Sequence, residues 1–165
     1  LSIVSSSAAP PPAGFELPLR LLAAFRLLID ALHERLAAEG HPDARPLHGF
    51  VLQALGPDGT TAAELGRRLG VSKQAAGKTV EALERQGYVA RRDDPADARR
   101  RVVVRTARGT DLLARSARIF DELRAEWAAE LGERRLAALE DALRAITPAA
   151  ALGVDLPGWF GGGRG

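Results

Sequence analysis

The chain has 165 residues, a length near that of one domain with a sizeable core. Its 46% apolar and 27% charged residues describe an ordinary globular composition, and the net charge is +2. Cysteine is absent, which excludes disulfides and thiolate redox chemistry, and no run of 18 apolar residues exists to span a membrane.

Residues 1–14 are rich in Ser, Ala and Pro and are expected to form a disordered arm. They lack a basic leader, and their apolar portion is too short for a secretory signal, so a cytoplasmic protein is expected. A first long helix is predicted over 18–39, within a segment 15–40. Leu22, Arg26, Ile29, Leu32 or His33, and Leu36 trace its repeat, and Leu19, Phe25 and Leu28 broaden it. A stripe this wide exceeds one contact, so the helix is expected to touch both its own core and a second chain. Gly40-His41-Pro42 breaks it. A second helix over 45–55 turns Leu47, Phe50, Val51 and Leu55 inward, and Gly56-Pro57-Asp58-Gly59 is a turn.

The segment from Thr61 to Gly109 carries the most information. Thr61 and Glu64 have capping-box spacing, so a helix starts at Ala62, with Leu65 and Leu69 on one face. Gly70 ends it, and Ser72 is the next N-cap. Over 73–86, Ala76, Val80 and Leu83 form a buried stripe and leave Lys73, Gln74, Gly77, Lys78 and Glu81 outward. Helix, glycine turn and helix make a helix-turn-helix. Gly87 stops the second helix. Strands are predicted over 88–92 and 101–105, with Val102 and Val104 on one face, and a charged loop over 93–100. The whole is a winged helix. Residues 61–109 hold twelve Lys/Arg against six Asp/Glu, while the other positions hold eleven against fifteen. Positive charge concentrated on one module is the footprint of a nucleic-acid binder.

A long helix follows over 106–131, where Leu112/Leu113, Ser116, Ile119/Phe120, Leu123, Trp127 and Leu131 keep helical spacing. Gly132 interrupts it. A last helix over 133–146 lines up Leu136, Leu139, Leu143 and Ile146, and Thr147-Pro148 ends it. The glycine-rich tail, 148–165, is expected to be mostly disordered. The fold class is therefore mainly α with a small β-hairpin wing: a winged helix-turn-helix over 43–105, with long helices at 15–40 and 106–147.

The stretch LGVSKQAAGKTVEALERQGYVARR, followed by DPADARRRVVVRTARG, resembles the MarR family of winged-helix transcriptional regulators. Asp97 and Arg99 stand at the family's D-x-R positions in the wing, and Thr106 and Gly109 at its T-x-x-G positions; Arg105 replaces the family's Leu. The resemblance implies a homodimer paired through the helices at both chain ends, acting on double-stranded DNA. A closed two-fold dimer would cover the apolar stripes and present two reading heads. Gln74 and Lys78 are the candidates for reading bases, because Gln suits adenine and Lys the guanine acceptors. Lys73 and Ser72 are phosphate or edge contacts, and Gly77 keeps the helix surface low. In the wing, Arg99, helped by Arg100 or Arg101, suits a narrow minor groove. Asp97 is expected to orient one of these arginines, and Arg91 and Arg92 to meet backbone.

The resemblance also implies a cleft for a small, often aromatic, effector, near Phe25, His48, Phe50 and Ile119/Phe120. Core packing explains those residues as well. His33, His41, Asp43 and His48 invite a metal-responsive reading, yet their spacings form no recognised ligand set, and neither metal nor cofactor is expected. Another alternative is a winged helix used for protein–protein contact. Catalysis has little support, since there is no phosphate-binding Gly loop, no G-x-S-x-G and no H-E-x-x-H. Glu81 and Glu84 lie together on a solvated helix face.

Overall fold

A computed structural model describes residues 13–94 and 97–147, without the side chains of Leu47, Ala98 and Arg99. Most of the expected arm and all of the expected tail lie outside those residues. The first helix, α1 (Glu16–Ala38), begins two residues before Pro18. A proline in the first turn sacrifices only an N–H that has no intrahelical acceptor. After α1 come α2 (Pro46–Ala54), α3 (Ala62–Leu69) and α4 (Lys73–Arg85). The hairpin β1 (Val89–Asp94) and β2 (Asp97–Arg105) precedes α5 (Ala107–Leu131) and α6 (Glu133–Ile146).

The helix starts obey their caps. Thr61 Oγ1 accepts the Glu64 N–H at 3.2 Å, Ser72 Oγ accepts that of Ala75 at 3.1 Å, and Thr106 Oγ1 that of Gly109 at 3.1 Å. Two helix ends are alike. Gly40 and Gly87 adopt φ of 97° and 76°, so the next residue can reach back to the last turn. His41 N–H bonds Leu36 O at 2.8 Å, and Tyr88 N–H bonds Leu83 O at 2.9 Å. Each reversal throws a polar ring inward, and the two rings meet. Their centroids are 5.6 Å apart, and His41 Nδ1 lies 3.1 Å from the Tyr88 hydroxyl.

The hairpin is longer than the sequence suggests. The charged loop expected over 93–100 is largely strand: β1 runs to Asp94 and β2 starts at Asp97, with an irregularity between Asp93 and Asp94. The ladder continues to Asp93 and Arg101, which face each other as opposite charges, and on to Asp94 and Asp97. Arg101 lies 3.3 Å from Asp93, and Arg100 lies 3.7 Å from Asp94. Val102 and Val104 do share a face, but they are half-buried; the core residue of β2 is Val103, beside Val89. Val103 also exchanges two backbone hydrogen bonds with Thr60, at 2.8 and 3.0 Å, which fastens the wing to the start of the helix-turn-helix.

One core joins the elements. Val51 and Leu52 of α2, Leu55 just after it, Leu65 of α3, and Val80 and Leu83 of α4 are fully buried, with Ile119 of α5 and with Ile29, Leu32 and Leu36 closing it from α1. Gly66 lets α3 and α4 approach, because a Cβ there would sit 2.9 Å from the Val71 carbonyl oxygen. The first half of α1 is different: Leu17, Leu19, Leu21, Leu22, Phe25 and Leu27, with Phe15 just before them, are all exposed. In α6 only Leu136 is buried. Arg124 ties that helix to α5, reaching Glu140 at 2.7 and 2.9 Å and Glu133 at 2.8 Å.

Candidate nucleic-acid interface

The amphipathic pattern of α4 decides which side chains it offers. Ala76, Val80 and Leu83 are buried, which leaves Ser72, Lys73, Gln74 and Lys78 exposed on the opposite side. Gly77 is half-buried, and a Cβ placed on it would meet nothing within 4 Å, so the outer surface at this turn is open. The sequence-predicted polar face is thus gathered on one helix.

The wing carries Arg91, Arg92, Arg100 and Arg101 as exposed side chains, with Asp97 exposed beside them. Arg99 lies on β2, and its side chain is outside the described residues. Among the described residues, ion pairs engage Arg91 (with Glu84 of α4, 3.5 Å), Arg100 and Arg101, and none engages Lys73, Lys78 or Arg92. Arg100 lies beside Asp94 and Arg101 beside Asp93. Cross-strand register, visible only once the hairpin is folded, sets the second of those pairs.

The wing and α4 converge. Lys73, Arg100 and Arg101 line one open depression together with Thr61, Ala62, Ala63 and Arg67 of the α3 segment. Arg67 was not a sequence candidate. Its position two residues past Leu65 put it outside the core stripe, but nothing in the spacing showed that it would reach the wing.

The residues expected around an effector do not share one environment. His48 is buried and half of a helix start: its Nδ1 accepts the Arg45 N–H at 3.2 Å, and its ring lies 6.2 Å from that of Tyr88. Burial, then the Arg45 charge, pushes its pKa down. Phe50 is half-buried, Ile119 is sealed in the core, and Phe25 and Phe120 are exposed. Among the described residues, no group of three or more His, Asp or Glu side chains is arranged to hold a metal ion, and no helix is long and apolar enough to cross a membrane.

Behind the reading face, polar groups join the head to α5. His41 Nε2 lies 2.9 Å from Asp111, and Arg108 donates to both the Tyr88 oxygen and Asp43 at 3.3 Å. The Tyr88 hydroxyl donates to Asp43 at 3.4 Å. Hydrogen bonds from Arg115, then from His41, hold the Asp111 carboxyl below its ordinary range; Arg118 and Arg115 do the same for Glu39. Burial pushes the Tyr88 phenol up.

A helix-turn-helix with a two-stranded wing and a bridging third segment is the winged-helix class. A model described as the MarR family matches residues 45–100, the segment that holds the helix-turn-helix and most of the wing. The HTH-type transcriptional regulator YcgE of Bacillus subtilis is 46% identical over 54 residues, 33% of this chain and 34% of that protein. The match thus spans about a third of the relative's length. Among solved structures, RV1404 from Mycobacterium tuberculosis is 24% identical with a TM-score of 0.69, covering 86% of this chain and 97% of its own. Staphylococcus aureus MepR, in a complex with DNA, is 21% identical with a TM-score of 0.62, covering 80% and 96%. The long helices therefore share the fold of such proteins beyond the matched module.

Proposed function

We propose that the protein is a transcriptional repressor that binds a pseudo-palindromic operator in double-stranded DNA as a homodimer. The observation that carries this reading is the convergence of the polar face of α4 with the wing arginines on one surface. In it, α4 enters a major groove, with Gln74 and Lys78 meeting base edges and Ser72 and Lys73 at the rim. Arg99, Arg100 and Arg101 approach the flanking minor groove, and Arg91 and Arg92 the backbone. The DNA complex of the structurally similar MepR supports the choice of partner. The dimer is supported by the first half of α1, whose apolar side chains are exposed on every side. Such a helix needs surrounding protein. Two heads held about 34 Å apart would meet successive turns of one duplex face.

Footprinting on DNA upstream of the protein's own gene tests the reading. A protected palindrome, lost as salt rises, is the expected result. A protein that retains no duplex DNA or heparin at low salt would instead be a protein–protein module. Release by a small aromatic anion completes the reading, with Phe25 and Phe120 as exposed rings that a second chain would help enclose. Thermal-shift and operator-release assays with phenolic acids test that part, and silence in both removes it. A loss of operator affinity on dialysis against chelator would move the reading to a metal-responsive regulator.

A further inference from the structure

The depression between α3 and the wing has a definite place in such a complex. Its rim is made by Lys73, at the start of α4, and by Arg100 and Arg101 of β2. When α4 occupies a major groove and the wing the adjacent minor groove, one sugar–phosphate strand separates the two grooves. That strand has to pass between Lys73 and the wing arginines. Ala62 and Ala63 line the same depression with only methyl groups, so a backbone can come close. Arg67 faces it from α3.

Arg67 and its neighbour Arg68 are not equivalent. The Arg67 side chain is 77% exposed and pairs with Glu64, one turn back on the same helix. Water already competes for a pair of that kind, and a phosphate can replace the carboxylate. Arg68 is 45% exposed and turned the other way: its Nη1 donates to the Ala54 carbonyl at 2.8 Å, at the end of α2, and its Nε to Glu64 at 3.3 Å. It does not line the depression.

We infer that this depression seats a backbone phosphate of the duplex strand lying between the two grooves, with Arg67 as a DNA contact outside both the recognition helix and the wing. The inference rests on the DNA-binding reading above. Its signature is electrostatic and independent of sequence, because a phosphate carries no base identity.

The test measures binding of the full chain to labelled 30-base-pair duplexes of several mixed sequences, over a range of salt. Arg67→Ala should weaken binding by the same factor on every duplex. It should also flatten the plot of log affinity against log salt by about 0.9 for each head engaged. Arg67→Lys should keep the slope, since it keeps the charge. Arg68→Ala should lower thermal stability, through the lost tie to Ala54, and leave the slope alone. An unchanged slope in Arg67→Ala, with wild-type binding intact, would overturn the inference and spare the DNA-binding reading. So would a loss confined to particular sequences. A wild-type protein that binds none of the duplexes sinks both.

Discussion

The winged head and the far end of the long helices are built from the same apolar residue types and treat them in opposite ways. In the head, Val51, Leu52, Leu55, Leu65, Val80 and Leu83 have no exposed surface. In the long helices, by contrast, Phe15 at the start of α1 and Leu27 within it are 67% exposed, and Ile146 of α6 is 69% exposed. A single chain therefore completes the head and leaves the scaffold unfinished. Exposed apolar side chains in such number along one helix are the mark of an interaction surface. The head's stability should be a property of one subunit, and the scaffold's a property of two.

The most damaging way to test this contrast is to charge the exposed end. Leu19→Glu with Leu22→Glu alters side chains that one chain leaves in solvent, so the helical circular dichroism of the head should persist. Light scattering should then report single subunits, and operator affinity should fall by roughly 10²–10⁴-fold, the gain that a second tethered head supplies. A double variant that still sediments as a dimer would show that the apolar end of α1 is not the seam. The converse change is Leu83→Ala, in the sealed head. Its cavity should cost about 2–5 kcal/mol in urea unfolding, with a loss that is independent of protein concentration. A concentration-dependent loss would mean that the head, too, needs a partner.

The same contrast explains what could be read in the residues beforehand. Thr61, Ser72, Gly70 and Gly87 punctuate the helices through contacts within four or five positions, so their roles follow from spacing alone. The apolar stripe of α1 was legible as too wide for one core, and the structure shows where it divides: Ile29, Leu32 and Leu36 are covered and Leu19, Leu22 and Phe25 are not. The wing's length was not legible. Asp93 reads as a loop residue until Arg101 stands opposite it, and Asp94 and Asp97 do so until the ladder pairs them with each other. The Thr60–Val103 bridge and the His41–Tyr88 contact join residues more than forty positions apart, with no periodicity to announce them. Arg67 belongs to this group, since its importance lies in what the folded wing brings near it. Of the DNA-facing candidates, Lys73, Arg100 and Arg101 come together around one depression. The effector candidates differ in burial: Ile119 packs inward, whereas Phe120, its neighbour on the helix, is exposed.

A smaller effect probes the seam where head and scaffold meet. Tyr88→Phe keeps the ring under the Arg108 guanidinium, 4.8 Å from its centroid, and removes only the hydroxyl. His41 Nδ1 then loses its neighbour at 3.1 Å, and Asp43 loses a donor. Leaving buried His41 without that partner should cost about 1–3 kcal/mol in thermal or urea unfolding. Tyr88→Leu should cost more, through lost packing as well. A Tyr88→Phe variant as stable as the wild type would mean that the hydroxyl network adds nothing and that the ring alone joins the two regions.

The smallest expected effect separates the regions by pH. On the scaffold side, arginine hydrogen bonds hold the Glu39, Asp111 and Glu140 carboxyls below their ordinary pKa, with Arg118, Arg115 and Arg124 as the leading donors. Groups shifted in that direction stabilise the fold above their unfolded-state pKa, and the contribution is lost as pH falls through the depressed value. In the head, burial pushes His48 below the ordinary imidazole value of 6.5. The unfolded chain therefore takes up a proton at that position before the folded chain does, and stability falls as pH drops from about 6.5 toward the depressed value. His48 thus acts at higher pH than the carboxylates. His48→Gln should isolate it, because a glutamine at the third helical position can still accept the Arg45 N–H but does not titrate. Urea unfolding of this variant should show a shallower decline between pH 7 and 5 than the wild type, with the loss below pH 4.5 unchanged. Parallel curves across the upper window would mean that the His48 proton is not linked to folding of the head.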